Sequence, residues 1–365
     1  MKLPSLLLMT TGMIGIAAAQ AVPLWAGDWA ATGGMIAARQ GHTATLLQGG
    51  QVLVAGGTDG HGAVLSSAEI YDPAIGRFRA TGNMLQARSF HSATLLPDGE
   101  VLVAGGQGAG AAAELYNPGA GQWFAAGSMA QVRSHHAAAL LPDGQVLVAG
   151  GLNGAGAELT EAEVYNPATG AWGAAAAMNV ARALTAATVM PNGAVLVAGG
   201  NGTTSAAGHS AEVYAGGRWQ MASAMASERS SSTAALLPNG EVLVFGGGPL
   251  AGGESYAASA GTWADTDGFG SGPPVQGQTE TLLDSGEVLV AGGVNRYQDV
   301  SAAGHLFNAS TNRWQTDGEM VQARSQHTAT LLANGQVLVT GGVKPNASGS
   351  AAQAAVLASA ELYTP

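Results

Sequence analysis

Four histidines stand three residues after an arginine: His42 after Arg39, His91 after Arg88, His136 after Arg133 and His327 after Arg324. Neutral imidazole is the commonest metal ligand, and rings from one repeated position can point at a common axis. The competing reading is local: each ring satisfies backbone groups where its own segment meets the next. Thr185, Ser232 and Gln278 fill the same place in the other segments. His135 falls outside this pattern and is the better candidate for touching a ligand. A second group gathers around Glu280, which stands where other segments carry alanine (Ala93, Ala329). A carboxylate inside a strand is costly unless it faces water, an ion or a cation. With Gln278 before it, and Arg296 and Tyr297 in the loop that follows, it forms a polar cluster suited to a hydroxylated ligand. Paired with a rim histidine, Glu280 would also suit general acid–base chemistry. The competing reading of the cluster is drift in a tolerant segment.

Other chemistries are excluded. There is no cysteine, hence no disulfide, thiolate metal site or cysteine nucleophile. No Ser–His–Asp order, phosphate-cradling loop or HExxH motif occurs, and no cofactor is expected. The net charge is −11 with no basic run, which argues against nucleic acid or anionic membrane as partner. Charged residues are 10% of the chain against roughly 25% in an ordinary domain, while 47% is hydrophobic; such a chain folds around a large core.

The first residues read as an address. Lys2 is followed by an apolar run from Leu6 to Ala19, and Ala19-Gln20-Ala21 supplies small residues for cleavage near Ala21. The run is short for a membrane span of about 20 residues. Residues 1–21 are therefore expected to be a signal peptide and 22–365 the mature domain, secreted or periplasmic and without an integral membrane anchor.

The elements that must position these groups come from one repeated unit. A double glycine closes the run VLVAGG, or a close variant, at Gly56, Gly105, Gly150, Gly199, Gly246, Gly292 and Gly341, with spacings of 45 to 49 residues. Seventeen residues before six of these lies an arginine. Tyrosines are followed seven residues on by an aromatic, as in Tyr71 to Phe78, Tyr116 to Trp123 and Tyr165 to Trp172. Within a unit the period is that of strands. Strand A is typified by the segment after His91, then come a Pro97-Asp98-Gly99 turn, strand B (VLVA), a variable loop, strand C ending in tyrosine, and strand D carrying tryptophan.

Double glycine, then tyrosine, then tryptophan at a period near 50 resembles the kelch repeat. The resemblance covers nearly all of the mature chain and implies an all-β, seven-bladed β-propeller with four antiparallel strands per blade. The seventh copy ends at Tyr363 without a tryptophan strand, and Trp29 to Met35 has the missing pattern. The N-terminal strand is therefore predicted to complete the last blade and remove its open edge. Arginine before strand A and glutamate in strand C (Glu69, Glu114, Glu163, Glu212, Glu254, Glu361) are lost together in the sixth copy, where His305 replaces the acid. That predicts a structural Arg–Glu pair in each blade, of the kind that can bond in two prongs. Loops after the double glycine share a rim with the start of strand A, and this loop-rich rim is the expected binding face. The resemblance implies a monomeric module binding a protein or glycan there. A carbohydrate-active enzyme at the channel mouth, mutarotase- or oxidase-like, is the alternative. Galactose oxidase has a similar kelch propeller, but its cofactor needs a cysteine, so its copper chemistry does not carry over.

Overall fold

The computed structural model describes residues 27–201, 206–248, 252–266, 275–295, 297, 299–344 and 355–365. The expected signal segment and Arg296 lie outside them. Seven four-stranded antiparallel sheets follow one another, each in the order A-B-C-D. In the second blade these are Ser92–Leu95, Val101–Ala104, Ala112–Asn117 and Gln122–Ser128. The A strands contact one another in sequence, and the strand Thr328–Leu331 of the seventh blade returns to Thr43–Leu46 of the first, closing a ring round a channel. The outer strand of the seventh blade is N-terminal: Asp28–Thr32 pairs with Ala360–Thr364, placing Trp29 opposite Tyr363. The predicted closure is thus observed. Outside the pattern are a short helix at Ala206–His209 and two small ribbons, Val275–Gln276 with Val294–Asn295 and Val343–Lys344 with Ala355–Val356.

Strand B is buried along its whole length in all seven blades, as in Val101–Ala104. That is why it reads as an unbroken apolar run rather than an alternating one: both its faces pack on neighbouring blades. Between the first two blades, Leu53, Ile70 and Met84 meet Val101, Val103, Tyr116 and Trp123. Tyrosine and tryptophan of one blade lie tilted against each other, 5.0 Å apart for Tyr116 and Trp123. The Trp123 indole N–H then donates to the Gly82 carbonyl of the preceding blade at 2.8 Å.

The six arginines are buried and paired as predicted, five through one nitrogen and Arg229 through both Nε and Nη2 to one oxygen of Glu254. Arg88 Nη2 meets Glu114 Oε1 at 2.5 Å, while Nη1 donates to the carbonyls of Gly105 and Ala112. The carboxylate is otherwise engaged, accepting the backbone N–H groups of Leu85 and Gln86. Each pair therefore ties the loop entering a blade to that blade's strand C and glycine turn. Burial pulls the Arg88 guanidinium down from its ordinary value, and the bond to Glu114 pulls it back.

Candidate functional site at the channel mouth

Two residues after each arginine, or at the matching place in the sixth blade, the backbone turns into the left-handed region. The residues are Gly41, Phe90, His135, Leu184, Ser231, Gly277 and Gln326, with φ between 53° and 67°. Five of the seven carry a Cβ, which costs roughly 1–2 kcal/mol in this conformation. The turn is held by a chain of backbone bonds running from blade to blade. Phe90 N–H donates to Gly41 O (2.8 Å), His135 to Phe90 (3.0 Å), Leu184 to His135 (3.1 Å), Ser231 to Leu184 (2.9 Å) and Gln326 to Gly277 (2.8 Å). Because these residues lead into the innermost strands, they ring the mouth of the channel. The Phe90 and His135 rings stack there, 4.3 Å apart and 20° from parallel. His135, expected to be free for contact, is half-buried in this stack, and burial lowers its pKa.

The four repeated histidines lie one step deeper, each in the seam with the preceding blade. His91 Nε2 shares a hydrogen bond with Thr43 Oγ1 (3.0 Å), His136 with Ser92 Oγ (2.8 Å) and His327 with Thr279 Oγ1 (3.0 Å). His42 meets both Thr328 and Thr340 at 3.1 Å. Burial, with the nearby arginines adding to it, holds His42, His136 and His327 down to about 3 and His91 well below its ordinary value. They are neutral seam residues. Among the described residues no three His, Asp or Glu side chains stand close enough to share a metal ion.

The structure divides the cluster expected in the sixth blade. Gln278 is buried, its Nε2 donating to Phe245 O at 3.2 Å. The carboxyl oxygens of Glu280 are buried in the seam with the fifth blade, and desolvation raises its pKa to about 8 against the opposing pull of Thr233 and Arg229. Tyr297 is exposed on the rim, in a turn where its N–H donates to Asn295 Oδ1. Glu280 is therefore not placed with Tyr297 on the open rim, nor is it paired with a histidine whose Nε2 is free.

The sequence reading passed over a second feature of the same rim. The residue after the buried methionine is apolar and largely exposed in three consecutive blades of the ring: Val321 (67%), Ile36 (68%) and Leu85 (61%), followed by Val132 (42%) in the next loop. Its signal was present, since these side chains occupy one fixed place beside Met320, Met35 and Met84. The mouth residues had a signal too: one position of six residue types over seven copies, two after an arginine that six copies share.

A family model described as the Kelch motif matches residues 41–85 and 133–179, the first and third blades with the loops that leave or enter them. In fold the chain is similar to a solved structure described as a novel fungal alcohol oxidase with catalytic diversity among the AA5 family, in complex with copper. The TM-score is 0.74 and the identity 15%, covering 93% of this chain and 76% of that one. At that identity the likeness concerns the fold alone. No curated protein matches the sequence significantly. The chain has no cysteine, and among the described residues no three His, Asp or Glu side chains converge.

Proposed function

From the premise that this chain is a seven-bladed kelch-repeat β-propeller, we propose that it is an exported binding module that seats a protein partner on its loop-rich rim. The observation that carries this reading is the apolar arc of Val321, Ile36, Leu85 and Val132. Single exposed aliphatic side chains are ordinary, but here three adjacent blades offer them from one repeated place on the same rim, with Val132 in the next loop. Aliphatic groups without polar partners suit the buried centre of a protein interface better than a sugar's hydroxyls. The mouth residues, fixed in backbone and of six different types over seven blades, supply the specificity beside it. Export rests on the N-terminal segment.

The test is a triple variant, Ile36→Asp with Leu85→Asp and Val321→Asp. These side chains are exposed, so the melting temperature should stay within a few degrees of wild type. A partner captured by the wild-type chain from envelope proteins of its host should bind the variant at least about tenfold more weakly, as loss of an interface centre predicts. Equal affinity for both proteins would overturn the reading. So would saturable binding to a glycan array that the triple variant leaves intact.

A further inference from the structure

Three of the seven seams lack the histidine, and one of these three also carries an acid. Where the four histidines bridge to a hydroxyl, Gln278 occupies the place between the fifth and sixth blades and turns its amide nitrogen to Phe245 O. Two residues on, Glu280 stands where all six other blades have alanine: Ala44, Ala93, Ala138, Ala187, Ala234 and Ala329. Gln278 and Glu280 are two apart in an extended segment and so face the same way, toward the fifth blade. Thr233 of that blade acts directly on the Glu280 carboxyl. Four oxygens are thereby brought to one seam, Thr233 Oγ1, Gln278 Oε1 and both of Glu280. All four are buried and none makes a hydrogen bond of good geometry to a described residue, although the Thr233 hydroxyl lies close enough to the Glu280 carboxyl to favour its charged form.

Buried oxygens without donors are expensive, and a repeat that carries alanine here six times shows that the fold does not require them. Their chemistry is that of a hard-cation site: oxygen only, with no imidazole or thiolate. The charge sets the valence. Arg229 is already matched by Glu254 at 3.1 Å, so an ionised Glu280 leaves one negative charge uncompensated. One carboxylate balances one monovalent ion, whereas protein calcium sites gather six to eight oxygens and usually several carboxylates. Gly277, immediately before Gln278, presents no side chain at the channel mouth. Among the described residues no backbone bond joins its N–H to Ser231 O, nor that of Gly41 to Gln326 O, so the ring of mouth bonds is interrupted at this seam and at the one between the seventh and first blades.

We propose that the seam between the fifth and sixth blades is a binding site for a monovalent cation, Na⁺ or K⁺, held by the Glu280 carboxylate, the Gln278 amide oxygen and the Thr233 hydroxyl. The ion pins two neighbouring blades together beneath the rim. Thermal unfolding of the intact chain tests this in alkaline buffer, with NaCl, KCl, LiCl or CaCl₂ compared with choline chloride at constant ionic strength. A specific site gives a melting temperature that rises with the logarithm of Na⁺ or K⁺ concentration above its Kd, but not with choline. Glu280→Ala installs the residue of the other blades and should fold, with a melting temperature indifferent to the choice of cation. Broadening of the ²³Na resonance by wild type, absent with Glu280→Ala, is the second readout. Equal melting temperatures in Na⁺, K⁺ and choline, a cation response that persists in Glu280→Ala, or a response to Ca²⁺ alone would each overturn the proposal.

Discussion

Each buried arginine of the ring serves several groups at once, and Arg88 shows them: Glu114, the carbonyls of Gly105 and Ala112, and through Glu114 the N–H groups of Leu85 and Gln86. Removing one partner of a buried pair leaves the other charge uncompensated. Arg88→Ala should therefore cost about 3–5 kcal/mol in urea unfolding, and adding Glu114→Gln should recover part of it. A loss below about 1 kcal/mol would mean the pair is dispensable. The histidines make a pH prediction at the same scale. An unfolded histidine titrates near 6.5, while His42, His136 and His327 in the folded chain wait until about 3. Between those values the unfolded state binds more protons. Stability should therefore fall as the pH drops through 6.5 and go on falling toward 3, at about 1.4 kcal/mol per pH unit for each histidine. His136→Thr, which borrows the residue type of Thr185, should flatten that slope by about one proton in urea titrations at successive pH values.

The double glycine that ends strand B is the element on which the seams depend. Gly57 N–H donates to Arg88 O of the next blade at 2.8 Å. Gly56 adopts φ +67°, and a Cβ there would lie 2.4 Å from Arg88 O and 2.8 Å from His91 Cε1. Gly62, in the loop beyond, has φ +82° but open space around it. Gly56→Ala should accordingly cost about 3 kcal/mol or more, from backbone strain and overpacking together, and Gly62→Ala only about 1–2 kcal/mol. Melting temperatures of the two variants separate the terms; equal losses would show that the neighbouring blade yields freely.

At the scale of the molecule, the ring is held shut without a covalent bond. The strand Asp28–Thr32 covers the edge of Ala360–Thr364, Trp29 lies 4.9 Å from Tyr363, and Gly27 N–H donates to Asp317 of the sixth blade. A chain shortened to begin at Gly33 would expose the edge of the seventh blade, a template for pairing with another copy. Such a chain should melt well below wild type and elute as dimers or larger species in size-exclusion chromatography. An unchanged melting temperature and elution volume would show that closure by this strand is incidental.

The amino-acid sequence by itself determined the repeat, the four strands of each blade, the Arg–Glu pairs and the closing strand. All follow from patterns renewed every 45 to 49 residues, so seven copies reinforce each local reading. Joint loss of arginine and glutamate in the sixth blade was enough to mark Arg88 and Glu114 as partners. Which side of a seam a group faces was decided only by the tertiary structure. Glu280 reads as a rim acid because it follows the mouth segment, yet its direction is set by pairing with Val290 and packing against the fifth blade. The same holds for the histidines, whose repeated spacing fits a shared axis as well as separate seams. Rotation of each blade against its neighbour sends their Nε2 atoms to Thr43, Ser92, Thr279 and Thr328 instead. Spacing along a chain fixes what recurs, whereas the direction of a side chain across a seam depends on how two blades pack, which no single repeat encodes.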